Sequence, residues 1–402
     1  MPRAHSSGPL EPDMEPLLFA EFFAGIGLVR AGLGPLWRCE YSNDIDPSKA
    51  RMYRAMFPGD PPEHLHLCDV WDTDSVAARV GSPFLAAASF PCTDLSLAGM
   101  QRGLGGKGSG TFWAFALVLR RMLSEGRAPR ILMLENVHGL ATGNGGRDLR
   151  AACSELSSLG YALDAFALDA RHFVPQSRPR LFVVGALGWE GEAAPEGRPA
   201  ALKLRALSEV MESMPNVRWM GLRAPAPPEL PCRVESVLDP DDGANWWPEG
   251  QVTAHLAKMD RIHLDRLAGP AAITACGFRR TRRGAARLEV RTDGLAGCLR
   301  TPRGGSGRQV IVRSEGGEVR MRWMTSTEYA RLQGARHCGP VVSERQALFG
   351  YGDAVCVPAI SWLDREVLSP LAERLRRRSP GAGAGTAPSA ASPAPSTNSP
   401  SG

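Results

Sequence analysis

Short apolar runs alternate with stretches of helical character through the first half of the chain. The runs Leu17–Phe23, Trp37–Ser42, Phe84–Ser89, Ile131–Leu134, Ala162–Leu168 and Leu181–Val184 predict strands, and Pro47–Phe57, Thr111–Ser124 and Asp148–Leu159 predict helices. Strands spaced by helices imply an α/β fold with a doubly wound, mostly parallel sheet. The alternation stops near Gly188. Residues 191–250 are rich in Pro, Gly and acids and predict little regular structure, and helical character returns at Ser326–Gln333 and Ala354–Arg378. Pro380–Gly402 contains only Gly, Ala, Pro, Ser, Thr and Asn, so it predicts a disordered tail.

Composition narrows the class. With 402 residues, 43% apolar and 22% charged, the chain can build a sizeable core and a second, smaller region. No apolar run approaches the roughly 18 residues of a membrane span. Glu11, Asp13, Glu15 and Glu21 interrupt any secretory signal. Nine cysteines without a CxxC pair argue against a zinc site or a disulfide framework, so no metal and a reducing cytoplasm are expected. The net charge of +5 is uninformative, but residues 279–322 carry twelve arginines against four acids, a local balance of +8. Such a segment suits a polyanion.

Two sets of residues suggest chemistry. Phe23-Ala24-Gly25-Ile26-Gly27 follows the first strand, where glycines let a backbone approach a ligand closely. Asp44 lies 19 positions beyond Gly25, at the end of the next strand, placed to accept from two ribose hydroxyls. Asp69, ending a third candidate strand, could accept from an adenine amino group, with Ile45 packing on the ring. No Lys-Ser/Thr follows the glycines, so a nucleoside without a pyrophosphate fits better than a P-loop ligand. A tight turn in any α/β fold is the plain alternative.

Ser89-Phe90-Pro91-Cys92 ends a buried strand, and proline stiffens the turn that would present the thiol at the carboxyl edge of the sheet. The Ser- and Gly-rich stretch Thr93–Gly110 could close over a substrate. Glu135 ends another strand and could face the same pocket, where partial burial would raise its pKa and let it hold or lend a proton. In Gln176-Ser177-Arg178-Pro179-Arg180, alternate residues of an extended segment point the same way, so both arginines could face one ligand. Taken singly, each has a bland reading: a buried structural cysteine, a solvated acid, a surface ion-pair patch.

Together these segments resemble the DNA cytosine-5 methyltransferase family of prokaryotic type, in the family's order. Phe-Ala-Gly-Ile-Gly at 23–27, Tyr41-Ser42-Asn43-Asp44 and Cys68-Asp69-Val70 resemble its cofactor motifs. Phe90-Pro91-Cys92 resembles the nucleophile motif, Glu135-Asn136-Val137 the ENV motif and Gln176-x-Arg178-x-Arg180 the QxRxR motif. Arg322–Gly334 and Gly350-Tyr351-Gly352-Asp353-Ala354-Val355 resemble the last two, although Asp353 replaces the usual Asn and Cys68 a usual Gly.

The resemblance implies a Rossmann-like, S-adenosylmethionine-dependent methyltransferase sheet with a smaller, irregular target-recognition domain. The domains would be a flexible arm at 1–16, the catalytic and cofactor-binding domain at 17–200 and 322–379, the recognition region at 201–321, and the tail at 380–402. It implies catalysis by Cys92, Glu135, Arg178 and Arg180. S-adenosylmethionine would be held by Phe23, Gly25, Ile26, Gly27, Asp44, Ile45, Asp69, Val70, Pro91, Asp353 and Val355. Double-stranded DNA would meet Gln176, Arg279, Arg280, Arg300 and Arg303. The implied reaction flips a cytosine out of the duplex, adds Cys92 to C6 while Glu135 protonates N3, and methylates C5, with nearby cationic charge helping to form the thiolate. Arg178 would bind the O2 side or keep the surroundings of the thiol positive. The implied setting is a bacterial, nucleoid-associated monomer, solitary or paired with a restriction endonuclease that acts separately. An RNA methyltransferase of the same family and a non-enzymatic DNA reader are the rivals.

Overall fold

The structure, a computed structural model, describes residues 15–92, 103–106, 108–191, 202, 204–229, 233–241, 245–269, 271–282, 284–302 and 307–377. The expected arm and tail therefore lie almost wholly outside the described residues, as do most of the Gly-rich stretch after Cys92 and Arg303.

Seven strands form the main sheet: β1 (Leu17–Phe22), β2 (Trp37–Asp44), β3 (Leu65–Leu67), β4 (Leu85–Ala88), β5 (Ile131–Val137), β6 (Tyr161–Asp169) and β7 (Pro179–Leu187). Their order is β3-β2-β1-β4-β5-β7-β6. The pairs from β3 to β5 are parallel, while β7 runs antiparallel to both β5 and β6. β4 is buried throughout, and β1 and β5 nearly so, which is why they read as mainly apolar runs, with Glu21 the buried exception in β1. The strand order reverses between β1 and β4, and open α/β sheets bind ligands outside the carboxyl ends at such a point. Because β7 is antiparallel, its first residues arrive at that same edge. β5 and β7 are longer than predicted, since Glu135–Val137 pair across the seam with Phe182, Leu181 and Arg180.

The C-terminal helical stretch is broken into Val357–Leu363, a π-turn at Asp364–Leu368 and Ser369–Arg377. Buried Asp364 accepts from Trp37 Nε1, Gly34 N and Ser369 Oγ, each at 2.7 Å, which docks this stretch on the start of the sheet.

The smaller region is more regular than expected. β8 (Ile273–Arg282), β9 (Ala285–Arg291), β10 (Gln309–Glu315) and β11 (Glu318–Trp323) form an antiparallel sheet in the order β11-β10-β8-β9. It buries Ala275, Leu288, Val290, Val310, Val312 and Met321. Residues 205–219 pack on the first sheet instead, because Leu207, Val210, Met214 and Val217 join its core and Trp219 bridges to Leu163 on β6. At the junction, Glu328 is fully buried and accepts two bonds from Arg322, at 2.6 and 2.9 Å, plus Thr325 N and Asp239 N, each at 2.8 Å. Fully occupied carboxylate oxygens make that buried charge tolerable. No helix among the described residues is long and apolar enough to cross a membrane.

Candidate active site

The turn after β1 runs through positive φ at Phe23 (56°), Gly25 (58°) and Gly27 (81°). Gly27 has no room for a side chain: a Cβ there would lie 2.5 Å from the Phe57 ring. A Cβ on Gly25 would meet nothing closer than 4.0 Å, so the face above that residue is open. Asp44 fixes the turn, accepting from Gly25 N and from Asp46 N, both at 2.8 Å. Asp69 lies two residues past β3 rather than at its end, and accepts from Trp71 N at 3.0 Å. Around these acids Ile45, Leu67 and Trp71 are large apolar side chains left exposed at 64%, 50% and 49%. An open glycine face, an acid at the end of β2 and bare apolar side chains are the donor set and surface that a nucleoside requires. Val70 and Val355 are buried, Val355 beside Glu135, Arg178 and Arg180, and Ile26 is a core residue at 1% exposure rather than a surface contact. Asp353 is paired with Lys49, Oδ2 to Nζ 3.2 Å, a contact between the last motif and the helix after β2.

Cys92 follows β4 in a turn stitched from the neighbouring strand. Asn136 Nδ2 donates to Phe90 O at 3.0 Å while its own Oδ1 accepts from Val137 N at 2.9 Å, so Asn136 fixes the carbonyl before the exposed Pro91. Cys92 is half-buried. Burial pushes its thiol above the ordinary value, and the pull of Arg180 and Arg178 does not overcome burial together with Glu135 and Asp353. The cationic help expected from the sequence is therefore present but outweighed.

Glu135 is not an isolated buried acid. Its Oε1 lies 2.9 Å from Arg180 Nε, with both side chains almost enclosed. Arg178 and Arg180 do point the same way, but they meet protein rather than an open ligand face. Arg178, 2% exposed, donates to Leu299 O at 3.0 Å and Ala354 O at 2.6 Å. Both guanidiniums also approach Cys298 Sγ, Arg178 at 3.3 Å and Arg180 at 3.7 Å. Arg178 is thus a tie between β7, the segment entering the second sheet and the last motif, made through Nη1 and Nη2, while its buried Nε–H has no partner among the described residues.

Gln176, expected at the DNA, is fully buried: its Nε2 donates to Leu332 O at 2.7 Å and its Oε1 accepts from Leu299 N at 3.0 Å. It is a core staple and cannot touch a duplex. Among the described arginines of 279–322, seven are ion-paired: Arg280 with Glu289, Arg287 with Asp260, Arg291 with Asp293, Arg308 with Glu344, Arg313 and Arg320 with Asp241, and Arg322 with Glu328. Four of those acids lie outside the segment, so the local count overstated the free charge. Arg279 stacks over Trp323 at 5.0 Å and Arg308 over the same ring at 5.7 Å, whereas Arg300 is exposed. The exposed pairs are weak enough for a phosphate to replace the carboxylate. Asn136, Lys49 and Cys298 are site residues that the sequence did not single out. Only Asn136 carried a signal, its position beside Glu135.

A family model described as C-5 cytosine-specific DNA methylase matches residues 17–216. The type II methyltransferase M.BanI of Aneurinibacillus aneurinilyticus is 33% identical over 178 residues, 42% of this chain and 38% of that protein. The DNA-cytosine methyltransferase of Escherichia coli K12 is 29% identical over 199 residues, 42% of this chain and 41% of its own. The chain thus matches about two fifths of the length of these relatives. The crystal structure of S. pombe Dnmt2 methyltransferase superposes with a TM-score of 0.57 at 16% identity, covering 90% of this chain and 99% of that one. An Entamoeba histolytica methyltransferase, EhMeth, gives 0.58 at 13% identity with the same coverage. At such identity these two speak for the fold alone.

Proposed function

We propose, from the premise that this chain belongs to the C-5 cytosine-specific DNA methylase family, that it methylates the C5 carbon of cytosine in a specific double-stranded DNA sequence. The observation that carries this reading is the convergence at one sheet edge of the Cys92 thiol, the Glu135–Arg180 ion pair and the open Gly25 turn. S-adenosylmethionine supplies, when bound, an electrophilic methyl group on a sulfonium. Phe23, Gly25 and Gly27 would shape its berth, Asp44 and Asp69 would accept from its nucleoside, Ile45 would pack on its ring, and Asp353 and Val355 would close the other side.

The work of the protein lies on the base. Cytosine leaves the stack at a cost of a few kcal/mol, offset by arginine contacts to phosphate. Cys92, its proton lost to solvent, adds as thiolate to C6. The C5–C6 electron pair shifts to C5–C4 and the C4–N3 pair to N3, which takes a proton from Glu135, protonated as the base enters. C5 is now electron-rich and accepts the methyl. Loss of the C5 proton to solvent water and departure of the thiolate restore the ring, and N3 returns its proton to Glu135. Arg180 keeps Glu135 aimed throughout. The chain acts as a cytoplasmic monomer on DNA, separate from any cognate endonuclease.

Expression in a methylation-free bacterial host followed by bisulfite sequencing tests this. A short motif carrying 5-methylcytosine is expected with the wild type and none with Cys92→Ala. An unmodified genome with the wild type overturns the reading.

A further inference from the structure

Arg178 and Arg180 bring two guanidinium charges into a pocket where Glu135 supplies one carboxylate. Asp353, the next acid, is paired with Lys49 at 3.2 Å. Cys298, on the segment entering the second sheet, also lies at the guanidiniums. Its sulfur stands 3.3 Å from Arg178 Nη1 and 3.7 Å from Arg180 Nη2. The Leu299 carbonyl, 3.5 Å from the sulfur, is held by Arg178 at 3.0 Å, so the backbone that carries the thiol is fixed. Tyr329 and Arg300 are the other ionisable neighbours of Cys298.

We propose that Cys298 is the second anion of this cluster and that, acting through Arg180 and Arg178, it keeps Cys92 protonated while the protein is free of DNA. The argument is one of charge. Arg180 and Arg178 act on both thiols, while Glu135 and Asp353 repel an anion at Cys92. The Glu135 carboxylate and a thiolate at Cys298 would together match the charge of the two guanidiniums. A thiolate at Cys92 would then be a third negative charge in a poorly solvated pocket. Which sulfur takes the available field is decided by contact. Burial opposes a thiolate at Cys298, but Arg180, Arg178 and the Arg180 hydrogen bond outweigh it and bring that thiol below its ordinary value. Cys92 goes the other way. Both sulfurs thus draw on the field of the same two arginines. Cys298 is a positioning residue that does no chemistry itself, and Cys92 rests as an unreactive thiol until a base engages Glu135. The purpose of this arrangement rests on the reading of Cys92 as nucleophile; the arrangement itself does not.

The test uses the full chain without DNA or cofactor. Iodoacetamide labelling of Cys92 is followed by peptide mass spectrometry from about pH 6 to about pH 10, a range spanning ordinary thiol titration. Cys298→Ser, a near-isostere without the charge, should label Cys92 about tenfold faster near neutrality, with the midpoint of the profile about one unit lower. Cys298→Ala should do the same, and Cys298→Asp, which keeps an anion, should hold the midpoint near the wild-type position. A merely structural role would raise labelling equally at every pH. An unchanged or raised midpoint in the Ser and Ala variants overturns the proposal. Methyl transfer is never read, so failure here is distinct from failure of the proposed function.

Discussion

Arg180 reaches across the antiparallel seam between β5 and β7 to hold the Glu135 carboxylate, Nε to Oε1 2.9 Å. The register pairs Arg180 with Val137 and Phe182 with Glu135, which sets the arginine and the acid diagonally on one face. Arg180→Met should leave a buried carboxylate unpaired and cost about 3–5 kcal/mol in urea unfolding, the range for breaking a buried pair. A loss within the noise of a surface substitution would mean the pair is unimportant to the fold. Glu135→Gln should lower the single-turnover methylation rate by about two to four orders of magnitude. Near-normal turnover removes Glu135 from the chemistry.

Cys92→Ser should abolish methyl transfer and leave duplex affinity within a few-fold of wild type, because the thiol holds no part of the fold. Filter binding at fixed salt, beside a radiolabelled methyl assay, measures both. Substantial residual activity in the serine variant contradicts the assigned role.

Arg178 is expected to behave as a structural residue. Arg178→Met strips charged donors from Leu299 O and Ala354 O, leaving Leu299 O without its strong partner and Ala354 O with Gln333 Nε2 alone at 3.0 Å. Charge-assisted bonds of this kind contribute about 1.5–3 kcal/mol each, so unfolding should move to clearly lower urea concentration in the absence of any ligand. Unchanged stability with impaired turnover would return Arg178 to a ligand-binding role.

Glu21 sits on β1 beneath the glycine turn, 2% exposed. Burial pushes its carboxyl from 4.5 up to about 8, against the pull of Arg30 and of the Arg30 and Val29 backbone N–H groups. The folded value lies above the unfolded one, so folding takes up a proton between the two. The stabilising contribution is complete below about pH 4.5 and is lost as the pH rises through about 8. Relative to Glu21→Gln, the wild type should thus lose stability between acid and alkaline conditions. Urea unfolding of both proteins at several pH values measures the difference, and a gap that does not change with pH would show that Glu21 is not protonated in the fold.

The sheet edge was legible because the buried parallel strands are rich in apolar residues and the runs stop abruptly: Gly25 and Cys92 lie just past such runs, and Glu135 follows the apolar run of β5. The second sheet was not. β8, with the sequence ITACGFRRTR, and β9, AARLEVR, carry arginines where alternation would otherwise mark strands. Their charge is met by acids distant in sequence, Asp260 for Arg287 among them. The QxRxR segment misled for a related reason. Three polar side chains in an extended run look alike in sequence, yet Gln176 and Arg178 are consumed by carbonyls at Leu332, Leu299 and Ala354. Which polar groups a fold spends internally depends on contacts more than a hundred residues away, and the same distance hid Cys298 from its neighbours.

The most direct measurement of the central claim is covalent trapping. DNA carrying 5-fluorocytosine at the mapped motif is incubated with the protein and S-adenosylmethionine; fluorine cannot leave C5 as a proton can, so the adduct should persist. A denaturation-resistant complex in which mass spectrometry finds the methylated base joined to the Cys92 peptide is the predicted result. Methylation of ordinary cytosine without any such adduct, or an adduct on another residue, would contradict the account.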